Sequence, residues 1–538
     1  MTNQDALDNQ RKLIRSLASV LEKDGAQVQF FETHISWVLV AERFAYKFKK
    51  AVHFDFLDFS TLEARRFYCD EELRLNRRLA PNLYLDVIAV TGSRENPLID
   101  AAGTPIEYAV RMRTFPQQAL WSHRIGTGII TAKEIDALAR KIAQFHGDAA
   151  VASKDSAWGT PAALQATADD NLELLSSLLG ASDAEIFVRD IKSWQAVQQQ
   201  NLGSAFENRK AYGMVRECHG DLHGGNILTI NDRVEVFDCI EFNEGLRWID
   251  VMNDIAFITM DLQTQGKHGL AARFLNRYLE ISGDYDGLAV LRYYQTQRAL
   301  VRCKVALLRA RQLRAEARDA APHEAQAARY LAFSAESIKP APAALIIMHG
   351  YSGSGKSTFS ELLVELAGAV RIRSDVERKR MHGLAATSRV EAAPDAGLYD
   401  AAATQLTYGR LCILARHVIE SGLPVIVDAA FLKMEQRHLF EDLAHALRAP
   451  FFIFELRAAE AALKQRITVR AEQDRDPSDA GLQVLAHQIA HHDPLSDEEM
   501  KHTIAVDSEP GMDMETVRKI ADPVLRVLRY VPAHSHSS

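Results

Sequence analysis

The sequence predicts two architectures in series: a two-lobed α+β domain, then an α/β domain with a parallel sheet and a helical lid. Three stretches predict this. A β-rich opening, VQFFETHISWVLVAERFAYKFKK, gives way to a long helical region. That region contains a polar hairpin, HGDLHGGNILTINDRVEVFD, at residues 219–238. Beyond the proline-broken segment Lys339-Pro340-Ala341-Pro342-Ala343, a short apolar strand runs into Gly-x-x-x-x-Gly-Lys-Ser.

At 538 residues the chain exceeds one ordinary core, so several domains are expected. The divisions predicted are a strand-rich lobe at 1–116, a helical lobe at 117–337, a linker at 338–343 and the α/β domain at 344–532. A hydrophobic fraction of 47% with 25% charged residues is that of a soluble globular chain. The net charge of −8 argues against nucleic acid or an anionic membrane surface as partner. The five cysteines are scattered without a C-x-x-C pair, which fits a reducing compartment and no structural zinc. The opening MTNQDALDNQRKLIRSL has no apolar signal core, and no run approaches membrane-spanning length, so a cytoplasmic protein is expected.

The hairpin organises the first half. An apolar run at Ile227–Ile230, the turn Asn231-Asp232 and alternating Val234 and Val236 build it. Around it stand Asp221, Asn226 and Asp238. Phosphoryl transfer from ATP needs a carboxylate near the attacking hydroxyl and hard oxygen ligands for Mg²⁺. Asp221 suits the first task, Asn226 and Asp238 the second. Order and spacing resemble the catalytic and metal-binding loops of protein kinases. The HGD opening, with no Gly after Asp238, resembles the aminoglycoside phosphotransferase branch.

That resemblance implies roles upstream. Lys47, in Tyr46-Lys47-Phe48 on the third predicted strand, would reach the ATP phosphates and pair with a Glu on the next helix. Glu72 is the expected partner and Glu71 the near alternative; a solvated cluster of Lys47, Lys49 and Lys50 is the plainer account. No G-x-G-x-x-G precedes it. The corresponding turn is Thr33-His34-Ile35-Ser36, where backbone N–H groups and the Ser36 hydroxyl are the available phosphate contacts. EYAVRMRTF reads as a hinge strand stopped by Pro116. Residues 131–212 are helical in pattern, with Thr131 as cap and Glu134 three residues on. Asp254 resembles the family's loop-anchoring Asp. Arg298 and Arg302 share a helix face, either as a clamp for an anionic substrate or as a solvated surface.

In the second half, ALIIMHGYSGSGKST places Gly350, Ser352, Gly353, Ser354, Gly355, Lys356, Ser357 and Thr358 between a strand and a helix. Glycines let the backbone wrap phosphate, Lys356 reaches the outer phosphates, and Ser357 is placed for Mg²⁺. A second strand ends at Asp375, expected as base or orienting group for an acceptor hydroxyl, with Arg378 for substrate; a helix cap is the alternative. Asp428 ends LPVIVDAAF where a second acid would support Mg²⁺. Arg466, Arg470 and Arg475 lie in a charged helix and loop that resembles the mobile lid of small P-loop kinases. This half resembles gluconate-kinase- or zeta-toxin-like enzymes.

The whole chain resembles a bacterial group described as bifunctional aminoglycoside phosphotransferase/ATP-binding proteins. The shared stretches are YKFKK, FLDFSTLEARR, ELRLNRRLAP and HGDLHGGNI, then GYSGSGKST and RSDVERKR. The resemblance implies ATP and Mg²⁺ as cofactors and a small hydroxyl-bearing substrate for each half. No acidic cluster suited to an amine-bearing sugar stands out. Two other functions are compatible with the sequence: a nucleotide-binding regulator in the first half, or a polynucleotide 5′-hydroxyl kinase in the second.

Overall fold

A computed structural model describes residues 3–528, apart from 24–26, 55–56, 180–182, 387, 389–399, 474–480 and 509–510. The chain forms two compact units that do not follow the sequence division at 338–343. The first comprises Met1–Leu164 and Phe206–Ile258, the second Gln165–Ala205 and Thr259–Ser538.

The first unit opens with the helix Asn3–Lys23 and a six-stranded antiparallel sheet. Along the sheet the strands run Val28–Glu32, Ser36–Ala41, Phe44–Lys49, Glu107–Arg113, Tyr84–Gly92 and Pro97–Ile99. Alternation along Phe44–Lys49 sorts its side chains by face. Tyr46 and Phe48 join Trp37 and Leu39 beneath Leu13, Ile14 and Leu17 of the first helix. Lys47 and Lys49 take the other face, where both meet Glu72 of the helix Leu62–Asn76.

The helical part follows the patterning. Thr131 caps the helix Ala132–Asp148 and Glu134 returns the bond, a complete capping box. The polar hairpin pairs Ile227–Ile230 with Arg233–Val236. Its turn residues Asn231 and Asp232 both have positive φ, 49° and 60°, as a two-residue hairpin turn demands.

The second unit contains the helices Leu288–Ala315 and Ala321–Ser337 and a five-stranded sheet that is parallel throughout. The sheet order is Val370–Arg373, Val425–Asp428, Leu345–His349, Phe451–Arg457, Thr503–Asp507. Every residue of the central strand Leu345–His349 is buried. Parallel strands put their carboxyl ends on one side, so the loop after His349, Asp428 and the turn before Asp375 share one crevice. The helices Glu460–Gln473 and Leu482–Ala490 pack through Leu463, Ile467 and Leu485, with Tyr351 against them. Among the described residues, no helix is long and apolar enough to cross a membrane.

Candidate active sites

The first site is built by the segment that enters the hairpin. His219 is fully buried, and burial lowers its pKa, which favours a neutral ring. Its Nε2 lies 2.9 Å from the Phe237 carbonyl and its Nδ1 accepts from the Asp221 N–H at 3.2 Å, which fits a proton on Nε2. Asp254, also fully buried, accepts the backbone N–H groups of His219 and Gly220 at 2.8 and 2.9 Å. Ahead of the hairpin the loop is thus fixed through its main chain.

The Asp221 carboxylate points out of this frame and is about a third exposed, with Nε2 of His223 3.4 Å from Oδ2. Asn226 donates its amide to Asp221 Oδ2 at 2.9 Å and to the Asp221 carbonyl at 3.0 Å. That leaves the amide oxygen of Asn226 as the atom suited to a cation. Phe237 N–H donates to the Asn226 carbonyl at 3.0 Å, which brings Asp238 beside Asn226. Asp238 sits at φ +65°, and its N–H donates to the Tyr84 hydroxyl at 3.2 Å. With two oxygen donors adjacent, this end of the hairpin has the chemistry Mg²⁺ prefers.

Lys47 donates to Glu72 at 2.8 Å and to Asp238 at 2.5 Å, so strand, helix and hairpin meet at one ammonium group. Burial opposes its charge, but Asp238 and Glu72 outweigh burial and raise its pKa well above the ordinary lysine value. Glu72 is itself fully buried, and Lys47 and Lys49 overcome that burial to hold it ionised. Lys49, with no exposed surface, donates to the second oxygen of Glu72 at 2.5 Å and to Glu241. Glu241 and Tyr84 carried no signal in the sequence, and Lys49 stood there only in a basic cluster whose plainer account was a solvated one. The K-x-K spacing on a strand was an available signal for Lys49, since period two puts both lysines on one face.

One expectation for the first half is corrected. Ser36 is not a surface contact for phosphate: it opens the strand Ser36–Ala41, pairs with Lys49, and is completely buried. Arg298 and Arg302 belong to the helix Leu288–Ala315. Arg298 is nearly buried, and Arg302 stacks on the Tyr330 ring and donates to its hydroxyl at 3.4 Å.

The second site is a cavity of about 370 Å³ at the carboxyl ends of the parallel strands. Ser352, Gly353, Gly355, Lys356, Ser357 and Thr358 form one wall, and Asp375, Arg378, Tyr408, Asp428 and Arg466 stand around it. Gly353 and Gly355 have φ of +82° and +91°. A Cβ on Gly353 would sit 2.9 Å from the Leu463 carbonyl, so the loop's path there requires glycine. Lys356 lies over the loop and donates to the carbonyls of Gly350 and Tyr351, each at 2.7 Å. Gly350 and Ser354 do not line this cavity. They turn inward, with Ser354 buried and its N–H given to the Tyr351 carbonyl.

Asp375 lies in the first turn of the helix Ser374–Met381, whose cap is Arg373, so the capping alternative for Asp375 does not hold. Arg378 donates to the Thr404 hydroxyl at 3.2 Å. Tyr408 accepts the Phe431 N–H at 3.2 Å, and burial pushes its hydroxyl up to about 12. Asp428 Oδ2 has Ser360 Oγ at 3.1 Å and Arg373 Nε at 3.9 Å. Ser357 and Asp428 present hard oxygens to the same cavity, a donor set that fits Mg²⁺. Arg466 donates to the Gly353 carbonyl at 3.3 Å and to Ser508 Oγ at 3.0 Å, which puts a guanidinium beside the loop. The side chain of Arg470 and all of Arg475 lie outside the described residues.

Comparison with known proteins assigns the two halves. Residues 69–294 match the phosphotransferase enzyme family, and residues 345–495 match the AAA domain family. Uncharacterized proteins of Mycobacterium tuberculosis and Mycobacterium bovis are 29% identical over 465 residues, which is 86% of this chain and 90% of theirs. A choline kinase from Cryptosporidium parvum Iowa II aligns with 59% of this chain and 91% of its own, at 11% identity and TM-score 0.39. A gluconokinase from Sinorhizobium meliloti 1021 aligns with 36% of this chain and 96% of its own, at 22% identity and TM-score 0.24. The chain is a fusion of a phosphotransferase-family region with a P-loop region of the AAA domain family, and it is an ATP-dependent kinase.

Proposed function

We propose that the chain carries two phosphotransferase centres, each moving the γ-phosphoryl group of ATP to a hydroxyl of a small molecule. The observation that carries this reading is that each half keeps a lysine, oxygen donors and a carboxylate gathered at one place. In the first centre Lys47, held by Glu72, meets the nucleotide phosphates, and Asn226 and Asp238 hold Mg²⁺. Asp221 accepts the proton of the attacking hydroxyl. In the second, Lys356 leaves the loop carbonyls for the outer phosphates, Ser357 and Asp428 hold Mg²⁺, and Asp375 takes the acceptor's proton. Bound Mg²⁺ supplies charge neutralisation on the transferring group. Arg466 adds positive charge on the loop side and Arg378 orients the acceptor, with Arg470 on the same helix assigned to the lid.

The acceptors are small metabolites, sugar-like compounds among them, rather than nucleic acid, given the net charge of −8. The five unpaired cysteines suit the reducing cytoplasm. One observation favours a second reading for the first half. With Ser36 enclosed, the turn ahead of Lys47 offers phosphate no hydroxyl from that residue, which suits a regulator that binds nucleotide without turning it over.

The test uses γ-labelled ATP, a bacterial metabolite extract and three proteins: the parent, Asp221→Asn and Lys356→Ala. Loss of a different labelled product in each variant is the expected result. If only Lys356→Ala abolishes labelling, the first half is not a kinase and the two-centre reading fails.

A further inference from the structure

The helix His268–Ser282 falls inside the range matched to the phosphotransferase family, yet it is built into the P-loop unit. The strand Val370–Arg373 is at the edge of the parallel sheet, where backbone groups on its outer side have no strand to pair with. Asn276 takes that place. Its amide donates to the Ala369 carbonyl at 2.8 Å, and its oxygen accepts the Arg371 N–H at 2.6 Å, both in buried surroundings. Arg273 adds bonds to Glu361 and Glu365 of the P-loop helix Lys356–Ala367, at 2.8 and 2.9 Å. Gly269 lets the helices close: a Cβ there would lie 3.1 Å from the Glu365 carbonyl.

One turn past Asn276, Glu280 reaches the buried residues behind the site. It accepts from the guanidinium of Arg371 at 2.9 Å, and both side chains are less than a tenth exposed. The other terminal nitrogen of Arg371 donates to the Ser357 carbonyl at 3.1 Å and to Ser360 Oγ at 3.2 Å. Ser360 Oγ lies 3.1 Å from both the Ser357 carbonyl and Asp428 Oδ2. A hydroxyl has one proton to give. Arg371 gives the Ser357 carbonyl a charged donor, and a carboxylate is a stronger acceptor than a carbonyl, so that proton is directed to Asp428. We infer that Glu280 and Arg371 are positioning residues of the P-loop magnesium–nucleotide site, acting through Ser360 on Asp428 and through the Ser357 carbonyl on the P-loop helix. Glu280 also cancels the charge of a buried guanidinium two residues' reach from the metal side. Without it, an uncompensated cation would oppose a second one at Ser357 and Asp428.

The inference rests on the reading of Ser357 and Asp428 as the metal-binding pair, and its test needs no acceptor. Calorimetry measures ADP binding to the full chain with and without Mg²⁺, in a Lys47→Ala background that silences the first centre. In that parent, Mg²⁺ strengthens ADP binding. Glu280→Gln is expected to bind Mg²⁺-free ADP as the parent does while losing about tenfold of the Mg²⁺ gain. Arg371→Lys, whose compact ammonium group cannot span Glu280 on one side and Ser357 and Ser360 on the other, is expected to lose gain as well. Asn276→Ala removes the edge bonds but leaves the charge relay, so it should lower the melting temperature and keep the gain. An unchanged gain in Glu280→Gln overturns the inference, as does an equal loss in Asn276→Ala, which would make the helix a support only. If Glu280→Gln does not fold, Arg371→Lys decides alone, and a retained gain overturns it. A parent that binds no ADP removes the metal-pair reading along with the inference; an unchanged gain removes only the inference.

Discussion

Lys49 and Glu241 form an ion pair with almost no exposed surface, two residues along the strand from Lys47 and three along the chain from Asp238. Glu72 joins the two halves of this arrangement, giving one oxygen to Lys47 and the other to Lys49. The orientation of the Lys47 partner is therefore set from both sides. A carboxylate bound at one oxygen only can swing; one bound at both cannot.

Replacing Lys49 by Met keeps the volume and removes the charge, leaving Glu72 and Glu241 buried with one ammonium group between them. Breaking a buried pair from one side costs about 3–5 kcal/mol. Denaturant unfolding of the first unit is expected to shift by that order. The surviving folded enzyme should show a raised KM for ATP in the first centre and an unaltered second centre. A Lys49→Met protein as stable as the parent would mean that the pair is not load-sharing with Lys47.

The Asp254 carboxylate has no exposed surface and holds two backbone N–H groups ahead of Asp221. Asp254→Asn keeps one acceptor and loses the charge. A hydrogen bond to a charged group contributes about 1.5–3 kcal/mol, so kcat of the first centre should fall about tenfold to a hundredfold. KM for ATP should hold, because Lys47 and Glu72 are untouched. Steady-state kinetics separates the two, and a change confined to KM would show that the loop is positioned in some other way.

What the sequence revealed and what it concealed divide along physical lines. The P-loop and the polar hairpin were legible because their geometry is local: glycines, a turn pair and an apolar strand within a few residues. The Thr131 and Glu134 capping box was legible for the same reason. Glu241 and Tyr84 were not, since their role comes from contacts with Lys49 and Asp238 made only on folding. Ser36 was misread because a turn residue looks exposed until pairing with Lys49 encloses it. For Arg298 and Arg302 the helical spacing was correct but says nothing of what the face meets; Arg302 meets Tyr330. Placement of the helix His268–Ser282 in the P-loop unit had no sequence signal, because proline-rich residues 339–343 look like the end of everything before them.

Acid should weaken the second unit through Glu280. Burial alone would raise this carboxyl, but Arg371, Arg373 and Arg277 overcome it and hold the group at about 2. A carboxylate with a depressed folded pKa contributes stability above its unfolded value of about 4.3, and that contribution drains away as pH falls toward the folded value. Melting temperatures measured from pH 6 down to about 2 should therefore drop more steeply for the parent than for Glu280→Gln. Parallel curves would show that Glu280 is not ionised against these arginines.

The P-loop half should not survive a cut at residue 339. A fragment beginning at 339 has the whole parallel sheet and the family-matched range, yet it lacks Asn276, Glu280 and Arg273. Its edge strand would present the Ala369 carbonyl and the Arg371 N–H to other chains, and Arg371 would be buried beside the P-loop helix without its counter-charge. Exposed strand edges pair with one another, and an unpaired buried ion is costly. Fragment 339–538 and the full chain, which keeps Gln165–Ala205 and Thr259–Ser538 together, compared by light scattering and ADP binding should differ accordingly. The shorter one should aggregate, and the longer one should stay monodisperse and bind Mg²⁺–ADP. Equal behaviour of the two would mean that the edge is protected by the sheet's own twist rather than by Asn276.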